Sequence, residues 1–287
     1  QLVAKPSGTG AFRVAERVGD ERISFVRNPA YWDAPRPYLR EVHHLYITDA
    51  DVRVQALRQG QVDLIADISD AQAASLHDQP DLRIIEQASG AYQTIVMQAT
   101  EAPFQDARVR RALKLCVDRA RLQAQVLGGR GALGNDQPLA AINSFWADLP
   151  PRTPDIAKAR RLLKAAGYPN GLQLDLVTSA SRPGMVELAT AFQAMAAPAG
   201  INIQVIKVPA DVYWTDYGGK TPFHIGNWNM RPSADETFML AYHSTSTSNE
   251  SKWSDPKLDA WLDAARREAD PAQRKALYTQ VQEFISN

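Results

Sequence analysis

The residue types most able to do chemistry crowd one stretch of the chain. Tyr213, Trp214, Tyr217, Trp228 and Tyr242 are spread through a segment bearing Gly and Pro, outside any periodic helix stripe. Large flat side chains on loops supply apolar contact area with little rotamer entropy to lose. That is the chemistry of a binding wall, and Tyr213, Trp214 and Trp228 are its candidate members. Asn229, Arg231 and Asp235, with Asn227, are near enough in sequence to orient a polar ligand against it. The same residues also fit a packed core under a solvated loop, and their types alone leave both readings open.

Signatures of bond-making chemistry do not accompany them. The chain carries no Gly-x-Ser-x-Gly elbow, His-Glu-x-x-His, P-loop or helix-opening Gly-x-Gly-x-x-Gly. Gly8-Thr9-Gly10 precedes a β pattern, so it lacks the helix dipole that would hold a phosphate and reads as a plain turn. The five histidines are His43, His44, His77, His224 and His243. Adjacent His43 and His44 would point to opposite faces of a strand and make a poor chelate, so no metal and no cofactor is expected. Cys116 is the single cysteine, which excludes an internal disulfide and any multi-cysteine zinc or iron–sulfur site. Lys plus Arg and Asp plus Glu both number 32, leaving no basic excess to displace counterions, so nucleic acid is not an expected partner. The runs Arg108 with Arg110-Arg111, and Arg266-Arg267-Glu268, read as solvated helix faces.

At 287 residues the chain can form one large α/β domain or two ordinary ones. The first hundred residues are β-rich: Ala11 to Val18 and Glu21 to Arg27 flank a Gly19-Asp20 turn, and Leu39 to Ile47 follows Pro35-Arg36-Pro37. A short helix from Asp49 or Asp51 ends near Gly60, and another is capped by Ser69. Val62 to Ala66, Leu82 to Glu86 and Tyr92 to Gln98 are expected strands. From Asp106 the pattern turns helical, with Val109, Ala112, Leu113 and Cys116 on one stripe, so Cys116 is core. Residues 128 to 152, rich in Gly and Pro, read as an irregular crossing. Thr153 is the expected cap of a helix ending at Gly167, and Asn170-Gly171 turns into alternating Leu172, Leu174 and Leu176. A helix over 184 to 198 leads to Ile201, Ile203 and Val205, and Asp255-Pro256 and Asp270-Pro271 open two closing helices. No apolar run approaches the roughly 18 residues of a spanning helix, and Gln1 to Pro6 lacks a signal peptide's pattern. The start without Met and the stop at Phe284-Ile285-Ser286-Asn287, directly after a helical pattern, read as an excised fragment.

Several motifs in order carry a family resemblance: Arg27-Asn28-Pro29-Ala30-Tyr31-Trp32, Pro103-Phe104 through Arg108-Val109-Arg110-Arg111 to Asp118-Arg119, Ala166-Gly167-Tyr168-Pro169-Asn170-Gly171, Trp228, and Trp253-Ser254-Asp255-Pro256. With them the chain resembles an extracytoplasmic solute-binding protein of an ABC importer, of the oligopeptide, dipeptide and nickel-binding type (family 5). The resemblance implies an α/β, periplasmic-binding-protein-like fold of mixed sheets flanked by helices. It implies part of a first lobe over residues 1–100 and most of a ligand-facing second lobe over 101–287, with an N-terminal part and a last segment missing. It implies a periplasmic location, a peptide-like or opine-like solute, ABC permease subunits as partners, and no enzymatic step. Surfaces left uncovered by missing segments imply self-association of the fragment.

In the peptide-binding relatives an acidic residue shortly after the tryptophan matching Trp228 pairs with the peptide's α-amine. Arg231 stands at that place here, which reverses the charge and implies a carboxylate or phosphate on the ligand, held by a bidentate guanidinium. Asp235 remains able to receive an amine if the loop bends differently. The competing reading from another class is a hydrolase or transferase acting on a peptide-like compound through paired acids. A receptor-coupled sensor shares the binding step, and nickel is disfavoured because its ligands cannot be assembled from this sequence.

Overall fold

Strand alternation and helix spacing take definite form in a computed structural model that describes residues 8–87 and 89–287. Gln1 to Pro6, read above for the absence of a leader, lies outside the described residues. Two compact units divide between Ile68 and Ser69.

In the first unit β1 (Phe12–Val18), β2 (Arg22–Arg27) and β3 (Glu41–Leu45) form an antiparallel meander. Gly19 supplies the positive φ its tight turn needs, at 48°. His43 and His44 take opposite faces: His43 Nδ1 meets Ser24 Oγ at 3.0 Å, and His44 packs edge-on against Phe25. Asp49 caps α1 (Ala50–Arg58), its carboxylate accepting from the Asp51 and Val52 N–H groups. Val62 to Ala66 is not the strand expected of it: it joins no ladder, and Leu64 faces solvent. Leu82 to Glu86, in the second unit, fails in the same way, with Ile85 exposed. An apolar run becomes a strand only where a partner offers its backbone groups.

The second unit begins with α2 (Asp70–Leu76), closed by the reciprocal Ser69 and Gln72 capping box. Then follow β4 (Tyr92–Met97), α3 (Ala107–Leu115), α4 (Arg119–Leu127), α5 (Ile156–Ala165), β5 (Leu172–Ser179), α6 (Met185–Ala196), β6 (Ile201–Val208), a π-helical turn at Tyr213–Tyr217, β7 (Phe223–Trp228), α7 (Ala234–Ala241), α8 (Pro256–Arg267) and α9 (Pro271–Ser286). The sheet runs β4-β7-β5-β6. β5 is parallel to both β6 and β7, while β4 is antiparallel to β7 from Tyr92 opposite Trp228 to Met97 opposite Phe223. That pairing ties β4 to the second unit, so the compact units divide well before residue 100.

The cap of α5 is Asp155, not Thr153, because the carboxylate of Asp155 receives the Lys158 N–H. Gly171 has φ 101°, and a Cβ there would meet the Gly200 carbonyl at 2.5 Å, so the chain can enter β5 at this point only without a side chain. Leu174, Leu176, Ile201 and Ile203 face a core shared with α3, α5 and α6, where Cys116 is buried as expected and its thiol is pushed up to about 12 by burial. A second core joins α7, α8 and α9, with Phe238 stacked on Tyr278 at 5.3 Å.

His224 is fully buried on β7: its Nε2 accepts from the Gly219 N–H at 3.0 Å, and its Nδ1 lies 2.8 Å from the Thr221 carbonyl. Protonation would set a second donor against the Gly219 N–H, and burial holds the imidazole down to about 4. The unfolded chain takes up that proton near 6.5. Stability present above pH 6.5 is therefore lost as pH falls toward 4, by on the order of 3 kcal/mol. Urea midpoints at pH 7 and pH 4.5 should show this drop, and His224→Gln should remove that part of it.

Candidate functional site

Because side chains alternate along a strand, the β4–β7 register sets Tyr92, Thr94 and Val96 on one face, opposite Trp228, Gly226 and His224. The other face sends Ile95, Met97, Phe223 and Ile225 into the core. Gly226 leaves a gap, since a Cβ there would lie 2.5 Å from Thr94 Oγ1 and 2.7 Å from Glu250 Oε2. Glu250 fills that gap from the loop after α7, and its Oε2 accepts from Trp228 Nε1 at 3.0 Å. Partial burial raises the Glu250 carboxyl above the usual carboxylate range, with the indole hydrogen bond opposing the rise. The Tyr92 hydroxyl is pushed up by burial and by the nearby Tyr242 and Glu250, with Arg231 acting in the other direction.

These groups open onto a cavity of about 1230 Å³. All of β4 lines it, as an edge strand allows, together with Trp228, Tyr242, Glu250 and apolar side chains such as Phe192. A small recess beside it shares Gly90, Tyr92 and Leu139 and adds Arg231. The Arg231 guanidinium lies over the Trp228 ring, 5.6 Å from its centroid, in a cation–π contact. Its buried Nε has no hydrogen-bond partner among the described residues, nor do the buried Tyr92 Oη and Thr94 Oγ1.

The structure brings Trp228 and Arg231 together and sets the other four candidates apart from them. Tyr213 is core: the π-helical turn points its ring inward, and its hydroxyl donates to the Ile225 carbonyl at 2.5 Å. Trp214 packs edge-on against Tyr213 and is partly exposed, away from the cavity lining. Asn229 is exposed just past β7 and does not line the cavity. Asp235, in the first turn of α7, pairs with Arg266 at 3.7 Å. Tyr92, Thr94 and Glu250 went unnoticed in the sequence. The Tyr92, Thr94, Val96 alternation and a glycine inside β7 were the available signals for the first two, and nothing marked Glu250.

The basic run at Arg108 to Arg111 is also more than a solvated face. Arg110 donates to the Phe104 carbonyl, and Arg111 to that of Asn287. Lys114 donates to the Ile285 and Ser286 carbonyls at 3.0 Å, and burial lowers its ammonium to about 8. Asp136 binds Arg119 at 2.6 Å and Arg152 at 2.9 Å, and Arg152 also reaches the Ser286 carbonyl. Cations here meet the negative end of α9.

A model of bacterial extracellular solute-binding proteins, family 5, middle region, matches residues 1–250. The chain belongs to that family. Among curated relatives, heme-binding protein A of Haemophilus influenzae is 28% identical to this family 5 chain over 298 aligned positions, covering 100% of it but 54% of the relative. The chain thus spans about half the length of the curated relatives it matches. The structure of the periplasmic binding protein DppA from Helicobacter pylori in complex with the peptide STSA superposes with a TM-score of 0.83 at 25% identity, over 99% of this chain and 56% of that one. MoaA from A.tumefacien R10 in complex with mannopinic acid gives a TM-score of 0.81 at 25% identity, over 99% and 59%. The fold of this family 5 chain is accordingly that of a periplasmic binding protein.

Trp228→Phe keeps the apolar wall but removes the one hydrogen-bond donor to Glu250 among the described residues, so stability at pH 7 should fall by about 1–3 kcal/mol. Chemical denaturation measures it, and an unchanged midpoint would show that the bond contributes nothing.

Proposed function

We propose that this family 5 chain is the solute-binding component of an ABC uptake transporter. In this reading it captures a peptide-like or opine-like solute outside the cytoplasm and hands it unaltered to a membrane permease. The observation that carries the reading is the cavity wall itself: an indole at Trp228 bearing the Arg231 guanidinium on its face, beside an apolar hollow of about 1230 Å³. Such a surface gives contact area, orientation and fixed charge, which reversible capture requires. The named ligands of DppA and MoaA, a peptide and mannopinic acid, support the solute class. The ligand-facing lobe is then built on the unit from Ser69 onward, which includes β4. The mechanism makes and breaks no bond: the solute is bound more tightly in a closed than in an open form, and the difference between the two sets release.

Titration with peptides bearing a free C-terminal carboxylate tests the role of Arg231. Arg231→Ala should weaken binding at least tenfold, about 1.4 kcal/mol, and unchanged affinity removes the arginine from the site. Mass spectrometry of the recovered solute should show it intact; a turned-over product would move the reading to a hydrolase or transferase.

Self-association of this 287-residue chain belongs to the same proposal, given solvent-facing Trp32, Tyr38, Leu64 and Ile85. Sedimentation should show the apparent mass rising with concentration, and a monomer at every concentration would refute it.

A further inference from the structure

We infer that Glu250, with the hydroxyls of Tyr92 and Thr94, forms a receptor for a primary ammonium group. The preferred solute is then a zwitterion whose acidic end lies at Arg231; this rests on the solute-binding reading above. Glu250 lines the cavity, and its one hydrogen bond among the described residues is from the Trp228 indole. An ionised carboxylate has about four acceptor positions. Glu250 makes no ion pair among the described residues; Lys252 acts on it only through space, so its carboxylate has room for a cationic group of a ligand.

Two more acceptors stand beside it unused. Tyr92 Oη and Thr94 Oγ1 are buried, line the same cavity and have no hydrogen-bond partner among the described residues. Buried hydroxyls left unpaired are costly, so their place in a ligand wall points to a group that completes them. The missing side chain at Gly226 lets Thr94 Oγ1 and Glu250 Oε2 both approach the same stretch of β7, which brings the hydroxyl and the carboxylate onto one part of the wall. A primary ammonium carries three N–H donors, which suits one carboxylate and two hydroxyls.

The opposite charge is equally well placed. Arg231 lies over the face of the indole whose N–H binds Glu250, and its Nε has no hydrogen-bond partner among the described residues. Tyr92 senses both charges and lines both the cavity and the recess holding Arg231. A ligand carboxylate at Glu250 would meet like charge, and an ammonium at Arg231 would do the same, so the orientation of a zwitterion is set. Asp235, the amine acceptor considered from sequence, is engaged with Arg266 instead.

The test is isothermal titration of the 287-residue chain with three probes, Ala-Leu, N-acetyl-Ala-Leu and Ala-Leu amide, and the same three as thermal-shift ligands. Wild type should bind Ala-Leu, and N-acetylation should weaken binding at least tenfold. Glu250→Gln preserves an acceptor for the Trp228 indole and should lose that discrimination, binding Ala-Leu and its N-acetyl form alike. Tyr92→Phe should weaken Ala-Leu several-fold and the N-acetyl form little. Equal affinity for the free and acetylated peptides in wild type, or undiminished discrimination in folded Glu250→Gln, overturns the ammonium receptor while the solute-binding reading stands. Absence of binding by all three probes in wild type, by both methods, overturns the receptor together with the peptide-like solute class.

Discussion

Keeping a carboxylate partly out of water beside a β-strand is the constraint from which the site follows. Removing an ionised carboxylate from water costs several kcal/mol when nothing replaces its hydration. One charge-assisted hydrogen bond returns about 1.5–3 kcal/mol, so the Trp228 N–H offsets part of that cost and the raised Glu250 carboxyl reports the remainder. Gly226 is a direct consequence, since any Cβ would stand 2.7 Å from the carboxylate oxygen. The position of Thr94 follows in turn, because it lies directly across the ladder from that glycine.

Such an arrangement holds only while β4 and β7 stay in register, for a slip of one residue would exchange the site face for the core face. The core side enforces the register. Phe223 packs against Phe104 at 5.0 Å, and Ile225 is fully buried. The Tyr213 hydroxyl grips the Ile225 carbonyl, and the His224 ring ties the strand to Gly219 and Thr221. Tyr213 therefore serves the site from behind: it fixes the strand that presents Trp228. A tyrosine that looked like ligand wall is worth more as an anchor, because its hydroxyl finds a backbone acceptor that solvent would otherwise have to supply.

Where structure depended on local chemistry the chain was legible. Caps at Asp49, Asp106, Asp255 and Asp270, the Ser69 capping box and the alternation of β5 and β6 all follow from residues within four positions of one another. Val62 to Ala66 and Leu82 to Glu86 misled because strand formation needs a distant partner that composition does not report. The α5 start was displaced for a smaller reason: Thr153 and Asp155 are both good caps, and only the chain's path chooses Asp155. In the site, Trp228 and Arg231 were legible because they stand three residues apart on one turn of chain. Glu250 was not, since its meeting with Thr94 joins positions more than 150 residues apart. Aromatic residues adjacent in sequence suggest one set of neighbours, whereas the ladder brings together Tyr92, Thr94 and Trp228 from two strands.

Ion pairing is uneven among the charged residues around the cavity. Around α9, Asp136 is shared by Arg119 and Arg152, and Lys114 is satisfied by carbonyl oxygens. Those charges are engaged with one another or with the end of α9, although Lys114, Arg119 and Asp136 also line the cavity. Glu250 and Arg231 differ: each touches the same indole, yet no ion pair joins them. Had they met directly, the Coulomb gain would have neutralised both and left an apolar wall. Held apart by a rigid ring, they stay two separate groups of opposite sign, and under the solute-binding proposal a ligand of complementary ends would avoid the reorganisation cost that a collapsed pair would impose. The tryptophan acts as a spacer as much as a surface, and its aromatic neighbours matter less than the two charges it keeps from one another.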